Sequence, residues 1–123
     1  MDPFAARPSA ARAEALKAQK EAQNAKDQVS SETLKLQRSV HELSAARDVS
    51  KLEHQLAATD VNTAHEKIET GSATLKDEQT ARITEHDRYA AYIDSTFQLD
   101  KAQVQLLRQT GDLENWALGP TKH

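Results

Sequence analysis

The chain has 123 residues, a formal net charge of −3 and only 4% aromatics, against 28% charged residues. It holds 20 Ala, 10 Gln and no Cys. That excludes a disulfide scaffold and thiol chemistry. Basic residues are scattered among acidic ones, which removes the one-sided footprint of a nucleic-acid binder. Ala, Gln, Glu, Lys, Arg and Leu lose little rotamer freedom in a helix, so the blend points to long helices rather than a large core of its own.

In chain order, Met1-Asp-Pro-Phe-Ala-Ala-Arg-Pro lacks the charged start and apolar stretch of a secretory signal. No window approaches the roughly eighteen apolar residues of a membrane-spanning helix. The expectation is a soluble chain without an address of its own, as an internal or C-terminal fragment of a secreted protein would also read. Residues 1–9 read as a leader. Breakers are rare beyond it: Pro occurs only at 3, 8 and 120, and Gly only at 71, 111 and 119.

A first helix is expected over 10–70, with Ser9 as N-cap after Pro8. Its opening is Ala-rich and weakly amphipathic. Val29, Leu36, Val40 and Leu43, then Val49, Leu52 and Leu56, then Val61, Ala64 and Ile68 keep three-to-four spacing within each group. The slips between groups imply a seam that wanders rather than a strict heptad.

Gly71 suits a left-handed C-cap. Thr74-Leu75-Lys76-Asp77 suits an N-cap with an acidic third position, a variant of the capping box. A tight reversal over 71–74 therefore joins two antiparallel helices. The second helix is expected over 75–110, with Gly111 as its C-cap. Residues 111–123 read as a short helical turn and tail, stopped by Gly119-Pro120. Two stripes run along this helix: Tyr92, Thr96, Leu99, Gln103 and Leu106 on one line, and Tyr89, Ile93, Phe97, Val104 and Leu107 beside it. Two stripes imply more than one neighbouring helix.

Chemistry is hard to find. No two of the five His stand three or four apart, so no metal site is expected. A reversal near 71 sets His65 about opposite 79, His54 opposite 90 and His86 opposite 58, well separated. His86, Asp87 and Ser95 have triad residue types, but the first two are helix neighbours that cannot face each other. Glu78/Arg82 and Arg38/Glu42 read as pairs on an exposed face. No catalytic residues, cofactor or metal are expected; the fold class is all-α, a long antiparallel two-helix hairpin. Its core is too small for independence, so it reads as an assembly module.

The stretch Lys67-Ile68-Glu69-Thr70-Gly71-Ser72-Ala73-Thr74-Leu75-Lys76-Asp77 resembles the helix tip of TolC-type outer-membrane efflux proteins. Tyr89, Tyr92, Phe97, Leu99, Ala102, Val104, Leu106-Leu107-Arg108 and Gly111 resemble that family's closing helix. The resemblance spans about 10–118, and its specific part is 66–111.

It implies a segment of an α-helical barrel crossing the bacterial periplasm, part of a homotrimeric outer-membrane channel for efflux or secretion. Here the segment would be the second hairpin, touching the membrane only through β-barrel strands that this chain lacks. Its implied partners are a periplasmic adaptor protein and an inner-membrane pump, and no nucleic acid. Lys67, Glu69, Thr70, Gly71 and Ser72 would meet the adaptor, and Asp77 falls at the family's acidic gate position. Two positions depart from the pattern: Thr80 stands where a second gate acid is usual, and Ile68 where an aromatic is common. The competing readings are a self-standing coiled-coil scaffold and the helical hairpin of a periplasmic adaptor.

Overall fold

The computed structural model describes residues 3–118. They form two α-helices, α1 (Pro3–Glu69) and α2 (Leu75–Leu118), packed against each other as an antiparallel hairpin. Among the described residues there is no strand, and no helix is long and apolar enough to cross a membrane.

The reversal at Thr70–Thr74 follows from local chemistry. Gly71 takes φ 78°, the only positive φ among the described residues. Its N–H donates to the Ile68 carbonyl at 3.0 Å and the Ser72 N–H to the Lys67 carbonyl at 2.7 Å. This pair of bonds is the Schellman motif, which satisfies carbonyls that the end of α1 would otherwise strand.

The seam does not wander. From Val29 to Ile68, every α1 position in the alternating three-four series is buried or half-buried, including the polar members Thr33, Arg47, Ser50 and His54. Val49, Leu52 and Leu56, expected in the seam, are instead 55%, 65% and 63% exposed. The correction has a plain cause: a two-helix coil needs a constant 3.5-residue repeat to keep facing its partner, and that requirement overrides the choice of side chain. On α2 the same repeat carries Glu78, Ala81, Glu85, Tyr92, Ser95, Leu99, Ala102, Leu106, Gln109 and Leu113. Ala57, Val61, Leu99 and Ala102 are the buried apolar residues among those described.

The helix limits also differ from expectation. α1 starts at Pro3, not after a leader ending at 9, and carries Pro8 within it. Pro3 sits at the first helical position, where its fixed φ suits the helix; Pro8 forgoes one backbone bond a turn and a half later. The helix closes at Glu69, so Thr70 belongs to the turn.

α2 does not stop at 110 but runs through Gly111 to Leu118. The seam carries it, because Leu113 beyond the glycine is half-buried at the next heptad position. A glycine inside a helix costs about 1 kcal/mol relative to Ala, less than ending the seam early. Gly119 and Pro120 lie outside the described residues.

Register is set by cross-helix pairs: Arg88 Nη1 lies 3.6 Å from Glu53 Oε2, and Gln109 Nε2 donates to Glu32 Oε2 at 3.2 Å. Continued to Leu118, this register brings α2 level with the early twenties of α1. Roughly 30 Å of α1 therefore projects as a single helix, and all residues from 8 to 28 are exposed.

Candidate functional site

The tip gathers most of the hairpin's polar organisation. The Thr74 N–H donates to Asp77 Oδ2 at 2.9 Å, and the Asp77 N–H donates to Thr74 Oγ1 at 3.2 Å. This reciprocal pair is a capping box, filling two donors at the start of α2. Thr74 holds the Asp77 carboxyl below its ordinary value, first through the backbone N–H and then through its hydroxyl. The bond uses one carboxylate oxygen, and the side chain stays exposed.

Lys67, Ser72 and Asp77 come together around a shallow groove with Asp60 and Thr63. Thr70 lies at the apex, its hydroxyl donating to the Lys67 carbonyl at 3.1 Å and standing 3.2 Å from Ser72 Oγ. Gly71 supplies the turn itself. Glu69 stands outside that groove, its Oε1 3.5 Å from His65 Nε2 and its side chain 70% exposed.

A tighter cluster sits one turn into α2, and its burial was not foreseen. Glu78, expected on an exposed face with Arg82, occupies a seam position and is among the buried residues. Arg82 reaches it from outside, donating from Nη2 at 2.7 Å and from Nε at 3.2 Å. His65 Nδ1 closes the other side at 3.5 Å. The Glu78 carboxyl lies below its ordinary value, chiefly through the Arg82 hydrogen bond, against an opposing push from desolvation. The signal that could have found it is the heptad count, which places residue 78 in line with Leu99 and Leu106. Arg38 and Glu42, the other expected pair, form no ion pair.

Further from the tip, His54 packs its ring against Tyr89, with centroids 5.1 Å apart, and places Nε2 3.7 Å from Glu85 Oε1. The residue it meets is thus one short of the expected 90. Ser95 is committed to its own helix, donating to the Ala91 carbonyl at 2.7 Å. Among the described residues no group of three or more His, Cys, Asp or Glu is placed to hold a metal ion. The arrangement at the tip can present charge and backbone edges to a partner; it contains no nucleophile aligned with a base.

Along the shaft, α2 keeps Tyr92, Leu99 and Leu106 of one stripe in the seam, with Thr96 half-buried beside it and Gln103 exposed, and leaves most of the other stripe uncovered. Tyr89, Ile93, Phe97, Val104 and Leu107 are between 48% and 72% exposed. Compared with known proteins, the chain matches no family model, no curated protein and no solved structure.

Proposed function

We propose that the chain is a non-catalytic assembly module: one stave in the helical wall of an outer-membrane efflux or secretion duct of the TolC type. The observation that carries this reading is the bare stripe on α2. Four large apolar side chains, Ile93, Phe97, Val104 and Leu107, spread over 15 residues, roughly 21 Å of helix, and stand exposed, while Tyr89 at the end of the stripe rests against His54 of α1. Exposed apolar bands of this length mark surfaces that pack against something else. A stave with one seam inside the hairpin and another toward its neighbour uses both stripes, whereas a two-helix tether needs one.

The tip sequence gives the reading its direction. Lys67, Glu69, Thr70, Gly71 and Ser72 form the surface offered to a periplasmic adaptor, and Asp77 stands at the entrance. In a homotrimer Asp77 would contribute a ring of three carboxylates favouring cations. Capping α2 does not conflict with this, because the capped carboxylate remains exposed and charged. Opening would follow engagement of the inner-membrane pump.

The deciding experiment reads the coding DNA on both sides of this segment. An in-frame signal peptide, β-strands and a second hairpin are the expected result; a stop codon directly upstream would sink the duct. With a full-length duct in a planar bilayer, Asp77→Asn should weaken cation preference at low salt, with the difference fading as salt screens the ring. Unchanged preference leaves Asp77 as a cap alone.

A further inference from the structure

The back of α1 carries an apolar band of its own, and it stands at the same height as the band on α2. Ala45, Val49, Leu52 and Leu56 follow one another at alternating four- and three-residue steps, and all are exposed. On α2, Ala90, Ile93 and Phe97 do the same. In a helix whose seam repeats every seven residues, Ala45, Leu52, Ala90 and Phe97 point almost directly away from that seam. Val49 and Ile93 lie one helical position off that line, toward opposite faces of the hairpin.

The register fixed by Glu53–Arg88 and Glu32–Gln109 then sets the levels, to within about one residue, or roughly 1.5 Å of rise. Leu52 is level with Ala90, Val49 with Ile93, and Ala45 with Phe97. Each level joins a large residue to a small one or two of middling size, which is how facing layers interdigitate.

The ends of the band agree. Toward the tip, Glu66 on the back of α1 is level with Lys76 on the back of α2, and both are exposed. Beyond Phe97, Glu42 is level with Asp100, a like-charged pair that ends the contact on that side. Moving one hairpin sideways past another, with no shift along its axis, therefore superposes Ala45, Val49 and Leu52 on apolar residues, Leu56 on His86, and Glu66 on Lys76. A shift of one heptad in one direction would set Ala45 against Ala90 and leave Glu66 short of the start of α2. In the other direction it would set Leu52 against Phe97 and Glu66 against Ile83, so either shift loses both the size match and the charge pair.

We propose that the neighbour covering the back of α1 is a second copy of this chain standing at the same height, with the back of its α2 forming a second antiparallel seam through Leu52/Ala90, Val49/Ile93 and Ala45/Phe97. It rests on the wall reading only for side-by-side packing and describes a ring built from this hairpin alone; where each protomer supplies a second hairpin, that hairpin takes the neighbouring place. The contact is heterologous: each copy offers its α1 back to one neighbour and its α2 back to another, so association continues until a ring closes.

The test uses the chain itself, which contains no Cys. Leu52→Cys with Ala90→Cys places thiols on opposite backs, with Cα atoms about 15 Å apart within one copy, too far to bond internally. Mild oxidation should give a ladder of disulfide-linked dimers, trimers and higher species. Thr59→Cys with Ile83→Cys, two levels nearer the tip, should do the same. Leu52→Cys with Val104→Cys misaligns the thiols by roughly 20 Å along the axis and should link at least tenfold more slowly. Circular dichroism of each variant establishes that the helices are intact.

Equal rates in the aligned and misaligned pairs would overturn the proposal. So would faster dimerisation of the single Leu52→Cys variant, which requires a two-fold contact. The outcome is separable from the duct reading: a ladder without flanking duct sequence leaves the second seam standing. Flanking duct sequence without a ladder assigns this face to a different segment.

Discussion

The outer and middle parts of the shaft solve the same packing problem with opposite chemistry. Toward the open end the seam holds Leu36, Val40 and Leu43 on α1, level with Leu99, Ala102 and Leu106 on α2, and Leu99 is only 2% exposed. In the middle, α1 offers Arg47, Ser50 and His54 to the same seam, and α2 answers with Tyr92 and Ser95. The aliphatic residues of that middle stretch, Val49, Leu52 and Leu56, are on the back. The polar groups inside are satisfied locally, as Ser95 shows by bonding its own helix. The middle therefore contributes little to holding the hairpin together. Apolar surface that would have strengthened the fold stands exposed on the back instead.

The largest expected effect comes from breaking the apolar side of this comparison. Leu99→Ala should destabilise the hairpin by about 2–3 kcal/mol, near the low end for a buried leucine, because two helices can partly close over the gap. Tyr92→Ala in the middle should cost visibly less. Thermal melts followed by circular dichroism rank the two, and equal losses would remove the distinction between the regions.

The turn comes next. Gly71→Ala forces an L-residue into the left-handed region at φ 78°, which costs about 1–2 kcal/mol. Gly111→Ala should act in the opposite direction, raising stability by up to about 1 kcal/mol. A Cβ at 111 meets nothing within 4 Å, and the position is helical. Two glycines that look alike in the chain are thus separated by the sign of one melting shift.

That separation marks what the sequence disclosed. The reversal at Gly71 and the Thr74–Asp77 box were legible because each rests on a few adjacent residues whose chemistry admits few alternatives. Gly111 was misread because a glycine near the end of a periodic run resembles a cap, and only the half-buried Leu113 beyond it shows that the seam continues. The course of α1 was misread for a related reason. An apolar residue does not by itself say which face of its helix the partner takes, so Val49, Leu52 and Leu56 read as members of the seam although they stand on the back. Of the tip residues, Lys67, Ser72 and Asp77 share one groove and Glu69 stands outside it, while burial of Glu78 required counting heptads through polar positions.

The middle region can be sharpened by filling it. His54 occupies a seam position with its side chain 24% exposed. His54→Leu exchanges a polar ring for an aliphatic side chain of suitable shape and should stabilise the hairpin by about 1 kcal/mol. The same change removes the contacts to Glu85 and Tyr89. A loss of stability would show that the polar layer holds the middle together, contrary to the contrast drawn above.

The smallest effect concerns acid, and it separates the tip from the shaft. Asp77 and Glu78 both have carboxyls depressed below their ordinary 3.8 and 4.5. A depressed folded-state value means that the native hairpin holds the charged form more strongly than the unfolded chain does. The associated stabilisation is fully present above the unfolded values, and is lost as pH falls through the lower folded ones. Melting temperature should therefore change little from these two groups between pH 7 and 5, then fall below about pH 4.5. The Thr74–Asp77 box loses its anionic acceptor there, and Arg82 loses its partner in Glu78. Glu78→Gln combined with Asp77→Asn should flatten that acid limb while leaving the effect of Leu99→Ala unchanged, since Leu99 lies far from the tip. Amide exchange at Leu75–Thr80, measured at pH 6 and pH 3.5, locates the loss. Faster opening confined to the first turns of α2 is the expected result, and equal acceleration along the shaft would mean that the acid response belongs to charges elsewhere.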